Sequence, residues 1–438
     1  MSSTFNFTKE NSQIITHLAI ALCCLPLYQF GGEVYKLLLA PYVLYLLFSI
    51  QPKFVPALLL HFMNGTTMSF LILLGCLIIS IKHIKKLKYY KVRLLFLVTL
   101  MPLPFFLYAI FLKMTLFDVA FVVLVDFLFM YFGLFSFFYF VIMSDRIKAN
   151  HLKYIFITLA ISTVLSFFYS ITVRYMFFTL PLFFSLMLIC LKYRKIFSKF
   201  FIVSLLLVIM IISDGITTTL IVTSLIASLI SILYVIRKKL SSSIAYVLLA
   251  ITVYIVLTSI QNYNPSNTQL SNYEFSVSEG NLFDPSNLYN YSKFKLFEDR
   301  TPLWSSIYDN YVTNGWYSIP IAPNNTFFLQ TIQGTEYESD LTAHNIFLEL
   351  IKSYGILTGI IISIVFIIMI IKSSLILKIK ELNIYLIIIS SSIISCGFFG
   401  GMVGQYLLLG TFSFLFIGLA GLCYGLFSNS KLTTAHVN

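Results

Sequence analysis

Charge is what this chain of 438 residues has least of. Asp, Glu, Lys and Arg together make up 11% of it, while 59% is hydrophobic and the mean hydropathy is +0.91. Soluble domains carry roughly 25% charged residues, so the surface here must face lipid. That excludes a cytosolic enzyme, a secreted scaffold and a disordered chain. Cysteine is sparse as well: Cys23, Cys24, Cys76, Cys190, Cys396 and Cys423 all lie in apolar stretches. Neither a disulfide framework nor a C-x-x-C metal site is indicated. The chain also lacks a Gly-rich phosphate loop, an H-E-x-x-H pair and a G-x-S-x-G elbow, which removes the common nucleotide, zinc-protease and serine-hydrolase classes. No metal or cofactor is expected.

Long apolar runs are what the chain does have. A spanning helix needs roughly 20 mainly apolar residues, and candidate spans fall at 94–112, 116–143, 153–173, 175–191, 200–213, 215–236 and 243–260. After a long polar interruption come 346–371, 384–400 and 404–428. Apolar runs at 14–30, 36–50, 54–63 and 66–81 add two, three or four crossings. The run from Ile14 to Phe30 lacks a positive n-region and a small-x-small cleavage site, so it reads as an uncleaved span. The expected fold is an all-α integral membrane protein, a bundle of about twelve helices (eleven to fourteen) with one large outer loop.

The formal charge of +12 is a topology signal rather than a nucleic-acid one. Six Lys/Arg lie between Lys82 and Arg93. Four further clusters follow: Arg146/Lys148/Lys153, Lys192/Arg194/Lys195/Lys199, Arg237/Lys238/Lys239 and Lys372/Lys378/Lys380. Each abuts a helix end, every second loop is basic, and the loops between are almost free of Lys and Arg. The positive-inside rule puts the basic set in the cytoplasm. The chain then divides into an amino-terminal bundle (1–260), an outer loop (261–345), carboxy-terminal helices (346–428) and a cytoplasmic tail (429–438).

The loop from Gln261 to Asn345 holds nine of the seventeen acidic residues, both tryptophans (Trp304 and Trp316), and only Lys293, Lys295 and Arg300 among the bases. Aromatic faces with amide and carboxylate edges suit a sugar-binding surface, and they equally suit a solvated loop. Arg300 precedes Thr301-Pro302, an N-cap followed by proline at the first helical position. Leu303, Trp304, Ile307, Tyr308 and Tyr311 then recur at helical spacing, predicting an amphipathic helix over 302–312. Arg174 stands in an outer turn with no other charge, where it serves either as a lipid-headgroup anchor or as a phosphate clamp. His344 is the one histidine this topology places firmly on the outer face. If Thr342 caps the helix that follows, His344 lies in the first turn, where the dipole keeps its imidazole neutral. Asp126 within a span and Asp214 at an outer turn are the remaining acidic candidates. Gly355/Gly359, Gly400/Gly404 and Gly421/Gly425 read as close helix packing.

Arg300-Thr301-Pro302-Leu303-Trp304, a long loop, then His344-Asn345-Ile346-Phe347-Leu348-Glu349 and Tyr354-Gly355-Ile356-Leu357 resemble the signature of the bacterial O-antigen ligase and O-antigen polymerase superfamily. The resemblance covers the topology from Lys82 onward. It implies a multi-span inner-membrane enzyme that transfers glycans from undecaprenyl-diphosphate-linked saccharides on the periplasmic face, without metal or nucleotide sugar. It further implies Arg300 and Arg174 as diphosphate ligands and His344 as the base on the acceptor hydroxyl. Asn345, Asp299, Asp214, Lys293 and Lys295 would be supporting groups. Donor and acceptor would both be lipid-linked oligosaccharides, with membrane lipids and a chain-length regulator as further partners and no nucleic acid. Ligases of that family carry an arginine where this chain reads Ser213-Asp214-Gly215-Ile216-Thr217-Thr218. That departure favours polymerase over ligase. A lipid-linked oligosaccharide flippase is the rival from another class, but the internal repeats such a transporter would show are absent from the sequence.

Overall fold

A computed structural model describes residues 9–30, 32–63, 66–105, 107, 121–169, 176–195, 198–213, 218–261, 304, 327–330, 336–339, 345–401 and 410–435. The protein is all-α. Its helices are α1 (Lys9–Phe30), α2 (Gly32–Phe48), α3 (Val55–Met63), α4 (Thr66–Lys82), α5 (Ile84–Tyr89), α6 (Arg93–Leu100), α7 (Phe121–Met143), α8 (Ala149–Tyr169), α9 (Met176–Lys192), α10 (Lys199–Ser213), α11 (Thr218–Arg237) and α12 (Ser243–Gln261). After the polar segment come α13 (Ile346–Tyr354), α14 (Ile356–Ser374), α15 (Ile384–Ile394), which ends in a π-helical turn over Ser395–Gly400, and α16 (Gly410–Ala435). The polar segment adds one small antiparallel pair, β1 (Phe327–Gln330) with β2 (Glu336–Ser339), in the register Phe327 to Ser339. All six cysteines are free thiols.

The five basic clusters meet at one end of the bundle. Lys86 Nζ lies 2.7 Å from Asp145 Oδ2 and also donates to the Ile142 carbonyl. The Tyr424 hydroxyl donates to the Tyr90 carbonyl at 3.0 Å and accepts from Lys372 Nζ at 3.4 Å. The Leu240 N–H donates to the Leu377 carbonyl at 2.9 Å, tying the Arg237–Lys239 turn to Lys378. Lys199 and Lys153 line one groove. Clustering at one end is what the alternation of basic and neutral loops requires.

The amino-terminal region starts and returns at this same end. Lys148 Nζ lies 3.2 Å from Glu10 Oε2, Lys53 Nζ donates to Gln13 Oε1 at 2.9 Å, and an Arg146 guanidinium nitrogen lies 3.4 Å from the Ile50 carbonyl oxygen. So α1 and α2 leave and return, and the chain from Ile50 to Lys86 leaves and returns again. With 9 residues, α3 rises only about 14 Å, half the thickness of a bilayer core. Phe62 near its end stacks on Phe414 of α16 at 4.7 Å. Hydropathy alone had left two, three or four crossings open here. The contacts make α1–α2 one out-and-back pair, followed by a hairpin whose first arm, α3, is short.

The bundle is apolar outside, and small polar side chains are buried among the apolar ones of its core. On α11, Thr219, Thr223, Ser224, Ser228 and Ser231 are buried, while Ile221, Leu225, Leu229 and Ile236 are exposed. On α12 the exposed stripe is Tyr246, Val247, Ile251, Tyr254 and Leu257. In water this arrangement would strand large apolar surface, but against lipid the polar groups bridge helices and the apolar ones are solvated. Ser185 and Ser228 hydroxyls meet at 3.1 Å between α9 and α11, and Ser395 donates to the Thr223 carbonyl at 2.6 Å. Among the described residues, Thr219–Arg237 and Ile356–Lys378 are long and apolar enough to cross a membrane. The protein is a helical, membrane-associated one.

Glycines place the central pair. A Cβ on Gly421 of α16 would lie 2.1 Å from the Phe137 carbonyl oxygen of α7, and one on Gly425 would lie 2.3 Å from Ser144 Oγ. This pair is close packing, as its spacing predicts. Gly400 is different, since its nearest neighbour, Thr223, stands at an ordinary 3.5 Å.

At the basic end, α1 is latched to α8 through His151. The Lys148 N–H donates to His151 Nδ1 at 2.9 Å, so the neutral ring carries its proton on Nε2, which lies 3.2 Å from Glu10 Oε1 but off the axis of a hydrogen bond. Burial lowers the His151 pKa below the usual value of 6.5, outweighing the pull of Glu10. Burial would raise the Glu10 carboxyl, but the Lys148 hydrogen bond and the charges of His151 and Lys148 hold it below 4.5. Both folded-state values are depressed. Each group's contribution is therefore complete above its unfolded value and is lost as pH falls: below 6.5 for His151, then below 4.5 for Glu10. We expect the thermal midpoint in detergent to drop from pH 7 to pH 5, and His151→Gln to flatten that slope. An unchanged slope in the variant would remove His151 as its source.

Candidate functional site

The helix following His344 begins three residues later than a Thr342 cap would place it. Asn345 has an extended backbone (φ −144°, ψ 119°), and its Oδ1 accepts from the Phe347 and Leu348 N–H groups at 3.0 and 3.2 Å. Asn345 is therefore the N-cap, not Thr342, and His344 precedes the helix rather than lying in its first turn. An amide oxygen two and three residues upstream of those N–H groups satisfies two otherwise orphaned donors, which is why the helix starts here.

The predicted continuous span over 346–371 is also corrected. It breaks at Gly355, whose φ of 80° and ψ of 166° suit a residue without a Cβ. The chain reverses there. A Cβ on Gly359 would lie 2.5 Å from the Ile351 Cα, so α13 folds back on α14 about the Gly355 turn. Thus Gly359 is a packing glycine and Gly355 a hinge.

Because α14 ends among the basic residues and α13 runs back along it, the amino terminus of α13 points into the bundle. Asn345 is 1% exposed and Ile346 2%. Phe347 meets Phe366 of α14 at 6.1 Å, which in turn stacks on Phe416 of α16 at 6.1 Å. The turn after His344 is therefore buried within the bundle. A short helix with its amino terminus inside a membrane bundle offers N–H groups and the positive end of a dipole to an anion.

Trp304 joins the same region. It is helical and fully buried, and it packs with Val256 of α12 and Phe399 of the π-helical turn, against Val222, Phe347 and Leu348. The two ends of the polar segment, just after Arg300 and just after His344, are thereby brought to one apolar seat. Arg174, Asp214, Lys293, Lys295, Asp299, Arg300 and His344 themselves lie outside the described residues, as do Thr301, Pro302 and Thr342. Asp126 is on α7, with its side chain outside the described set. Of the expected site residues, Asn345 alone is described, as a positioning residue.

The sequence reading missed the wall of this seat. The π turn Ser395–Gly400 is buried throughout and anchored to Thr223. Such turns recur at functional sites because they re-aim side chains within a helix. Its signal was present in the small-residue segment Ser395-Cys396-Gly397-Phe398-Phe399-Gly400-Gly401. Among the described residues no group of three or more His, Cys, Asp or Glu could hold a metal. No family model matches this chain, and no curated protein or solved structure matches it either.

Proposed function

We propose that the protein is an O-antigen polymerase-type glycosyltransferase, spanning the bacterial inner membrane about twelve times with the basic end in the cytoplasm. It would transfer a growing glycan from its undecaprenyl diphosphate to the next lipid-linked repeat unit on the periplasmic face. One observation carries this reading most: the buried, capped amino terminus of α13 stands directly after His344 and shares its apolar seat with Trp304, four residues after Arg300. A diphosphate leaving group needs charge that does not titrate, which Arg300 and Arg174 supply, and N–H dipoles add to it. The acceptor hydroxyl needs a base that works near neutral pH, which His344 supplies. In the step, the acceptor oxygen bonds to the anomeric carbon as the bond to diphosphate breaks, and the hydroxyl proton passes to the imidazole. Asp214, Asp299, Lys293 and Lys295 are proposed as supporting groups, and the apolar seat suits the prenyl end of the donor.

The test is a gel of surface polysaccharide from a deletion strain with and without the wild-type gene. Lipid A core bearing a single repeat unit, with the ladder lost until complementation, supports the polymerase. Core without any repeat removes this reading and leaves ligase or flippase, of which polymer accumulating on the lipid carrier in the periplasm selects the ligase.

A further inference from the structure

A groove of about 150 Å³ lies at the basic end, between α8, α9, α10 and α15. Its wall is Phe156, Phe183, Leu186, Phe200 and Val203, almost wholly apolar. A cavity of that size lined by such side chains takes up a benzene-sized apolar body, so it has room for a stretch of one acyl chain and not for a helix. It opens toward the lipid-facing surface. Phe200 and Val203 are 50% and 46% exposed, and they continue the exposed strip of Ile202, Leu206 and Ile209 on α10.

The polar groups of the groove are cations and hydroxyls. Lys153 and Lys199 line it, with Tyr385 and Ser204, and among the described residues no carboxylate does. Exposed Lys192, Arg194 and Lys195 stand in the adjoining turn. Ser204 is 1% exposed and its Oγ has no hydrogen-bond partner among the described residues. A buried hydroxyl without a partner is costly unless a ligand supplies one.

We infer that this groove binds one anionic phospholipid from the leaflet at the basic end. The phosphate would lie between Lys153 and Lys199, an acyl chain along Phe156, Phe183 and Val203, and a glycerol or ester oxygen would accept from Ser204. The lipid would brace α10 against α8 and α15. The inference rests on the bundle spanning a membrane and not on the glycosyl-transfer reading, whose proposed site is the seat around Asn345 and Trp304.

Native mass spectrometry of the full-length protein in detergent, titrated with dioleoyl phosphatidylglycerol or dioleoyl phosphatidylcholine, tests it. One phosphatidylglycerol should bind about tenfold or more tightly than phosphatidylcholine, given roughly 1 kcal/mol per lysine near an anionic headgroup. Lys153→Gln with Lys199→Gln should erase the preference, and Lys238→Gln with Lys239→Gln, which removes equal charge elsewhere at the same end, should preserve it. Ala160→Phe, which fills the groove from α8, should weaken both lipids. Unchanged elution and thermal midpoint certify that each variant is folded. Equal affinity for the two lipids, or equal loss in both lysine pairs, overturns the inference. Displacement of the lipid by millimolar sn-glycerol 3-phosphate also overturns it, since a free phosphate would then be the ligand.

Discussion

Under the proposed function, His344→Ala should lower the rate of repeat-unit joining by about 10²- to 10⁴-fold, the usual contribution of a positioned general base. The protein should be inserted at wild-type level, because the cap that starts α13 is Asn345 and not its neighbour. On a polysaccharide gel the ladder should then collapse toward core with one repeat. Arg300→Lys separates the two roles. It keeps the charge but loses the planar fork that grips a diphosphate, so it should raise the donor concentration needed for half-maximal rate before it changes the pH profile. Full activity in a properly inserted His344→Ala protein would end the assignment of the base.

Gly421→Leu should cost about 3 kcal/mol or more, at the upper end of what overpacking usually does. The Cβ would lie 2.1 Å from a backbone carbonyl on α7, and backbone cannot yield as a flexible side chain can. Since α7 and α16 form the centre of the bundle, the loss falls on the whole fold: lower yield of monodisperse protein and a lower thermal midpoint. Gly400→Ala, where the nearest neighbour is at 3.5 Å, is the matched control and should be close to neutral. Equal midpoints for the two variants would show that α7 and α16 are not in such close contact.

Much of the architecture was legible residue by residue. The alternation of Lys82–Arg93 and its four successors with neutral loops marked one end of the bundle, and the contacts of Lys86, Lys148 and Lys372 gather there. The pairs Gly421/Gly425 and Gly355/Gly359 stood out by spacing alone. Close packing was legible for Gly421/Gly425, but the role of Gly355 was not, because only the neighbour across the gap separates a packing glycine from a hinge. The position of His344 relative to its helix was misjudged by local pattern, since Thr342 and Asn345 are both competent caps.

The chain's own chemistry determined that the protein is all-α and membrane-associated, and which helix ends lie together. Hydropathy and charge act locally: an apolar run leaves water and a lysine stays in it, whatever else the chain does. The tertiary structure decided depth and direction. Nothing in the apolar run 346–371 says that it reverses at Gly355 and sends the amino terminus of α13 inward beside Phe366. Nor does the composition of α3 say that it ends against Phe414. A short apolar helix is equally content at any depth in lipid, so its place is set by the side chains of the helices it meets.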